Sequence, residues 1–70
     1  MDRLRVRQAT TADLDDWIEL RLRLWPGDHE AEFRDEARDI LGHPQRYCAF
    51  LARDAAGKAL GLAEAAVHND

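Results

Sequence analysis

Seventy residues carry fourteen carboxylates against ten basic side chains, a net charge of −4 with neutral histidines, so the chain is one small acidic domain or a piece of one. The single cysteine, Cys48, excludes a disulfide framework, and no close pair of Cys or His residues has zinc spacing. A hydrophobic fraction of 46% excludes an intrinsically disordered chain, and no apolar run reaches the roughly 20 residues of a membrane-spanning helix.

Met1-Asp2-Arg3-Leu4-Arg5 lacks the apolar centre and small-residue cleavage site of a secretory leader, which sets the expectation of a cytoplasmic protein. A chain of this size buries only about 60% of the surface it exposes when unfolded. With neither disulfide nor metal, it is expected to rely on a partner chain or on the rest of its domain.

From Arg3 to Gln8 the residues alternate, with Leu4 and Val6 on one side and Arg3, Arg5 and Arg7 on the other. This predicts a short strand that buries its Leu4/Val6 face. Thr10 is an N-cap with Asp13 three residues on, in the position of a capping box. Asp13, Asp15 and Asp16 suit the positive end of the helix dipole. The helix they open runs to Leu24 or Trp25, and Pro26 stops it by disfavouring the helical region for the residue before it. Leu14, Trp17, Ile18, Leu24 and Trp25 share one face, and Arg21 falls in the middle of it.

Asp28 is the next N-cap candidate, and Phe33, Ala37, Ile40 and Leu41 make the apolar stripe of a second helix. Gly42 stands where a C′ glycine belongs, with Pro44 shortly after. Tyr47 to Ala52 reads as a buried strand, Asp54-Ala55-Ala56-Gly57-Lys58 as a turn, and Leu60 to Val67 as the returning strand. The order is β-α-α-β-β in an α+β fold.

Charge is distributed unevenly along this order. Between Asp13 and Asp39 stand ten carboxylates and four arginines, a net −6. That disfavours nucleic acid as a partner of the helical part and favours a small polycation, unless the acids are simply a solvated helix surface.

The run Asp13-Leu14-Asp15-Asp16-Trp17-Ile18-Glu19-Leu20-Arg21-Leu22-Arg23-Leu24-Trp25-Pro26 resembles the first helix of the aminoglycoside 6'-N-acetyltransferases, within the GCN5-related N-acetyltransferase (GNAT) superfamily. Every fixed position of the pattern D-L-x-x-W-x-x-L-R-x-x-L-W-P is present. The resemblance continues through Phe50-Leu51-Ala52 and ends in Gly61 to Asp70. It implies that residues 1–70 are the substrate-side, N-terminal half of a single GNAT domain, with a mainly antiparallel sheet and two helices. The implied activity is acetyl transfer from acetyl-CoA to a primary amine of an aminoglycoside. The Gly-rich turn that holds the pyrophosphate in that family has no counterpart here, since Gly27, Gly42, Gly57 and Gly61 lie far apart. Neither catalytic, cofactor-binding nor metal-binding residues are therefore assigned, and acetyl-CoA is not expected to bind this chain alone.

The resemblance implies that Trp25 lines the aminoglycoside pocket; a core tryptophan capping the helix is the alternative. It also brings the loop after Trp25-Pro26 and the start of the second helix toward the substrate, so that Asp28, Glu30 and Glu32 could attract amines or else only cap the helix. His68 and Asp70 would be rim contacts at the strand end, or a frayed terminus. Two assignments rest on the residues themselves. Arg21 on an apolar face must pair or reach water, as an organiser of the Trp25 loop or with its stem across Trp17. Glu64 alternates with Leu60, Leu62 and Ala66, so it meets a substrate amine on the sheet or lies on an exposed face.

A second reading is a non-catalytic α+β module. The open hairpin edge, Leu60 to Val67, would then template a homodimer.

Overall fold

A computed structural model describes residues 3–66. Along the chain come β1 (Arg5–Gln8), a single 3-10 turn (Thr11–Asp13), α1 (Leu14–Leu24), α2 (Glu30–Gly42), β2 (Tyr47–Arg53) and β3 (Ala59–Ala66). The strands form one antiparallel sheet in the order β1-β2-β3. The α+β, β-α-α-β-β order expected from the sequence is the order found. No helix among the described residues is long and apolar enough to cross a membrane.

The two helices cover one face of the sheet. Ala49 and Leu51 of β2 point into that layer and join Leu14, Trp17, Ile18, Leu20, Phe33 and Ala37 in the core. Trp17 and Ile18 are the largest fully buried side chains. Replacing a buried tryptophan by alanine costs about 3–5 kcal/mol, a large part of what holds a domain this small together.

Thr10 and Asp13 close the entry to α1 reciprocally. The Thr10 N–H donates to Asp13 Oδ2 at 2.8 Å, and the Asp13 N–H donates to the Thr10 carbonyl at 2.9 Å. The first turn after Thr10 is 3-10, with the α-helix proper from Leu14. Asp13 and Asp16 also receive the two ends of the Arg53 guanidinium, each at 2.8 Å, which fastens the end of β2 to the start of α1. Burial alone would raise the Asp13 carboxyl, but the Thr10 N–H and Arg53 outweigh it and hold it below the usual carboxylate range.

Pro26 ends α1 as expected, with the Trp25 N–H closing on the Arg21 carbonyl at 2.8 Å. Gly27 turns the chain with φ +136, and a β-carbon there would sit 3.2 Å from the His29 ring. The β2–β3 turn is held by Asp54 Oδ1, which accepts from the N–H groups of Ala56 and Lys58 at 2.9 Å. Gly57 supplies the positive φ of +86 within it.

Five local expectations are corrected. β1 is exposed throughout, Val6 at 66%, as is Leu4 just before it at 60%. Val6 pairs with Ala52, on the sheet face that the helices leave open, and it is the arginines that lie on the helix side. Leu24 is exposed rather than core, and so is Trp25, for which a core position was the alternative; its ring stands at the helix end, edge-on to Phe33. The N-cap of α2 is His29, not Asp28, since the Phe33 N–H donates to the His29 carbonyl at 2.8 Å. Gly42 is the last helical residue, and His43 ends the helix at φ −130 with no left-handed cap. Tyr47 and Cys48 are half-buried at the start of β2.

Asp13→Ala should lower stability at pH 7 by about 1 kcal/mol through loss of the cap, measured by urea unfolding. Because the folded Asp13 pKa is depressed, its contribution is fully present above about pH 3.9 and is lost as pH falls through the folded value. The variant should therefore lose less stability than the parent between about pH 4 and pH 2.

Candidate functional site

Glu64 lies on β3 opposite Ala49, so its side chain emerges on the helix-covered face of the sheet. There it meets α1. Trp17 Nε1 donates to Glu64 Oε2 at 2.6 Å, Arg21 Nε donates to the same oxygen at 2.9 Å, and Arg21 Nη2 donates to Oε1 at 2.8 Å. Trp17 and Arg21 are four residues apart and therefore stack on one helix face. A single carboxylate thus gathers the indole and one edge of the guanidinium, across a sequence separation that no helical periodicity encodes.

The other edge of Arg21 belongs to Glu36 of α2. The guanidinium also lies 5.2 Å from the centroid of Phe33, one turn earlier on the same helix as Glu36. Arg21 is 7% exposed, and a cation so buried requires this degree of pairing. Burial alone would lower its pKa, but the bonds to Glu64 and Glu36 outweigh that and hold it above its ordinary value. Arg21 therefore stays charged and joins α1, α2 and β3. Its head reaches carboxylates rather than water.

In front of this cluster lies a hollow of about 370 Å³. Three rings border it. Trp25 is 56% exposed and stands edge-on to Phe33 at 6.3 Å, and His29 lies 5.3 Å from Phe33. Glu32, Glu36 and Glu64 supply carboxylates, with Arg21 at the back. An adjoining hollow of about 330 Å³ shares Arg21, Glu36 and Glu64 and adds Asp39 and Tyr47. Glu32, Glu36 and Asp39 fall at helical spacing on α2, so the two hollows make one trough with an acidic wall. Aromatic faces beside carboxylates are a chemistry for ammonium groups.

Of the residues singled out in the sequence, the structure brings Trp25, Arg21, Glu32 and Glu64 to this one place, and Glu30 is exposed and lines neither hollow. Asp28 is exposed and lines neither hollow. His68 and Asp70 lie outside the described residues. Sequence reasoning missed Glu36, Phe33 and His29 as walls of the site. Glu36 follows Phe33 by three positions, which puts it one turn along the same face, but nothing in the chain says that this face meets Arg21. Among the described residues no group of His, Cys, Asp and Glu could hold a metal ion.

No family model matches the chain. It is 40% identical over 58 residues to the type 1 aminoglycoside N(6')-acetyltransferase of Serratia marcescens, covering 83% of this chain and 39% of that protein. With the enzyme of the same name from Stenotrophomonas maltophilia the identity is 39% over 67 residues, covering 93% of this chain and 40% of that protein. The fold superposes on AAC(6')-Iy in complex with the bisubstrate analog CoA-S-monomethyl-acetylneamine with a TM-score of 0.85 at 31% identity, over 97% of this chain and 45% of that one. The chain is thus similar, over nearly all of its length, to a part of the aminoglycoside 6'-N-acetyltransferases. AAC(6')-Iy in complex with CoA gives a TM-score of 0.86 at 28% identity, over all of this chain and 45% of that one. The chain thus spans well under two thirds of the relatives it matches, and its fold is the corresponding part of a GNAT domain.

Glu64→Ala should destabilise the chain by about 2–3 kcal/mol in urea unfolding. It strands a buried guanidinium and an indole N–H, and the lower end of the buried-pair range applies because the Glu64 side chain keeps 25% exposure. Adding Arg21→Met to that variant should recover most of the loss. A double variant as unstable as the sum of the singles would show that the ion pair is not the coupling.

Proposed function

We propose that the protein is the substrate-side part of an aminoglycoside 6'-N-acetyltransferase, and that the trough before Arg21 receives the protonated amines and sugar faces of an aminoglycoside. The observation that carries this reading is the exposed Trp25 ring set beside Glu32, Glu36 and Glu64 around one hollow. A sugar ring can lie on the indole face while ammonium groups meet the carboxylates. Support comes from the relatives, which are named for aminoglycoside N(6')-acetylation, and from the bisubstrate complex of the similar structure.

In the proposed reaction the amine must be neutral to attack the thioester carbonyl; the C–N bond forms, the C–S bond breaks with its electron pair going to the thiolate, and the proton that the nitrogen sheds is taken up by that thiolate or by solvent. The described residues bind and orient; they do not form the acetyl-donor site. Both helix N-termini open with carboxylates, Asp15 and Asp16 on α1 and Glu30 and Glu32 on α2, which repel a pyrophosphate. The described glycines sit in turns, at the end of α2 and within β3. The acetyl-CoA site of the complete enzyme is accordingly assigned to chain beyond these elements.

The test is a titration with neamine followed by tryptophan emission. Trp25 borders the hollow while Trp17 is fully buried and bonded to Glu64, so the Trp25→Phe variant separates the two emissions. The expected result is a saturable change below millimolar ligand that weakens as salt rises and disappears in Trp25→Phe. An unchanged signal at millimolar neamine overturns the reading. Acetyl-CoA added to the same chain should give no saturable binding by calorimetry.

A further inference from the structure

A hollow of about 740 Å³ lies apart from the acidic trough. It lies between β1, the turn into α1 and the β2–β3 turn. Arg3, Arg5 and Arg7 border it, with Leu51 as part of its floor. The register fixes how they stand: Arg5 is opposite Arg53 and Arg7 opposite Leu51, so both project on the helix-covered side of the sheet. Alternate residues of a strand are about 6.8 Å apart, which sets the backbone spacing of Arg5 and Arg7, and Arg3 continues the alternation just before β1.

The two carboxylates that border the same hollow are already engaged. Asp13 is taken by Thr10 and Arg53, and Asp54 by its own turn. Among the described residues no side chain makes a hydrogen bond or ion pair with Arg3, Arg5 or Arg7, and no strand pairs with the outer edge of β1. On the opposite face Val6 of β1 is 66% exposed, and Leu4, just before the strand, 60%. In a chain of net charge −4, this is an edge with unused backbone groups, cations on one side and apolar side chains on the other.

We propose that the outer edge of β1 is a docking site for an extended acidic peptide strand of a partner protein, with carboxylates at alternate positions facing Arg3, Arg5 and Arg7 and apolar side chains between them facing Leu4 and Val6. An added strand presents its own alternate side chains at the same spacing and on the same face as the row it meets. Its backbone satisfies the edge, and its acids sit about 4.5–5.5 Å, by Cβ, from the arginines, the separation at which opposite charges on paired strands attract. A second copy adding through its own β1, with both helix layers on one side, would set arginine against arginine. Charge therefore selects an acidic partner over self-pairing.

The test uses the full chain and a fluorescein-labelled Glu-Val-Glu-Val-Glu peptide, read by anisotropy at low salt. Expected are saturable binding, at least tenfold weakening in Arg5→Glu/Arg7→Glu, and capture of a Lys-Val-Lys-Val-Lys peptide by that variant. Retained α-helical ellipticity confirms that the variant folds; should it not fold, Arg5→Gln/Arg7→Gln replaces it, with the same tenfold weakening expected. Backbone N-methylation of the acidic peptide at alternate residues, in the phase that faces β1, should abolish binding, because strand addition needs those N–H groups. Undiminished binding of the methylated peptide, equal binding of a (dT)5 oligonucleotide, or a β1-mediated dimer by sedimentation would each overturn the proposal.

Discussion

One carboxylate on the last described strand carries the tertiary arrangement. Glu64 accepts from Trp17 and twice from Arg21, and so commits α1 to a single rotation and height over the sheet. Hydrophobic burial alone is non-directional. Leu14, Ile18 and Leu20 would tolerate a helix shifted by part of a turn, whereas an indole N–H and a guanidinium left without acceptors in the interior would not. The pairing of Arg21 with Glu36 then extends the same constraint to α2.

That constraint also shapes the trough. The Arg21 guanidinium is a fixed positive charge behind an acidic opening, and it occupies one face of Phe33. Trp25 is left as the large ring with an open face, at a helix end that Pro26 terminates and the Gly27 turn redirects. A cation approaching from solvent meets the exposed Glu32 and Glu36 before it meets the buried Arg21.

Much of the fold was legible in the residues. The break at Trp25-Pro26-Gly27, the Thr10/Asp13 closure and the Asp54 turn are local interactions, and local sequence specifies them. The face of β1 was not legible. Alternation says that Leu4 and Val6 share a side, but which side the helices cover is decided by the pairing of Val6 with Ala52. The candidate site divides in the same way. Trp25, Arg21 and Glu64 stood out one by one, through a proline stop, a cation on an apolar face and an acid in an apolar alternation. Their meeting, and the entry of Glu36 and His29, depend on contacts between elements far apart in the chain, which a single sequence does not encode in any period or spacing.

The most direct check on the Glu64 anchor is hydrogen exchange at the indole nitrogens, followed by NMR. The Trp17 Nε1 proton, buried and held at 2.6 Å by Glu64, should exchange only through global unfolding and match the slowest core amides, while the exposed Trp25 indole exchanges at the rate of an unprotected ring. Equal, fast exchange of the two indoles under conditions where the core amides stay protected would contradict the account.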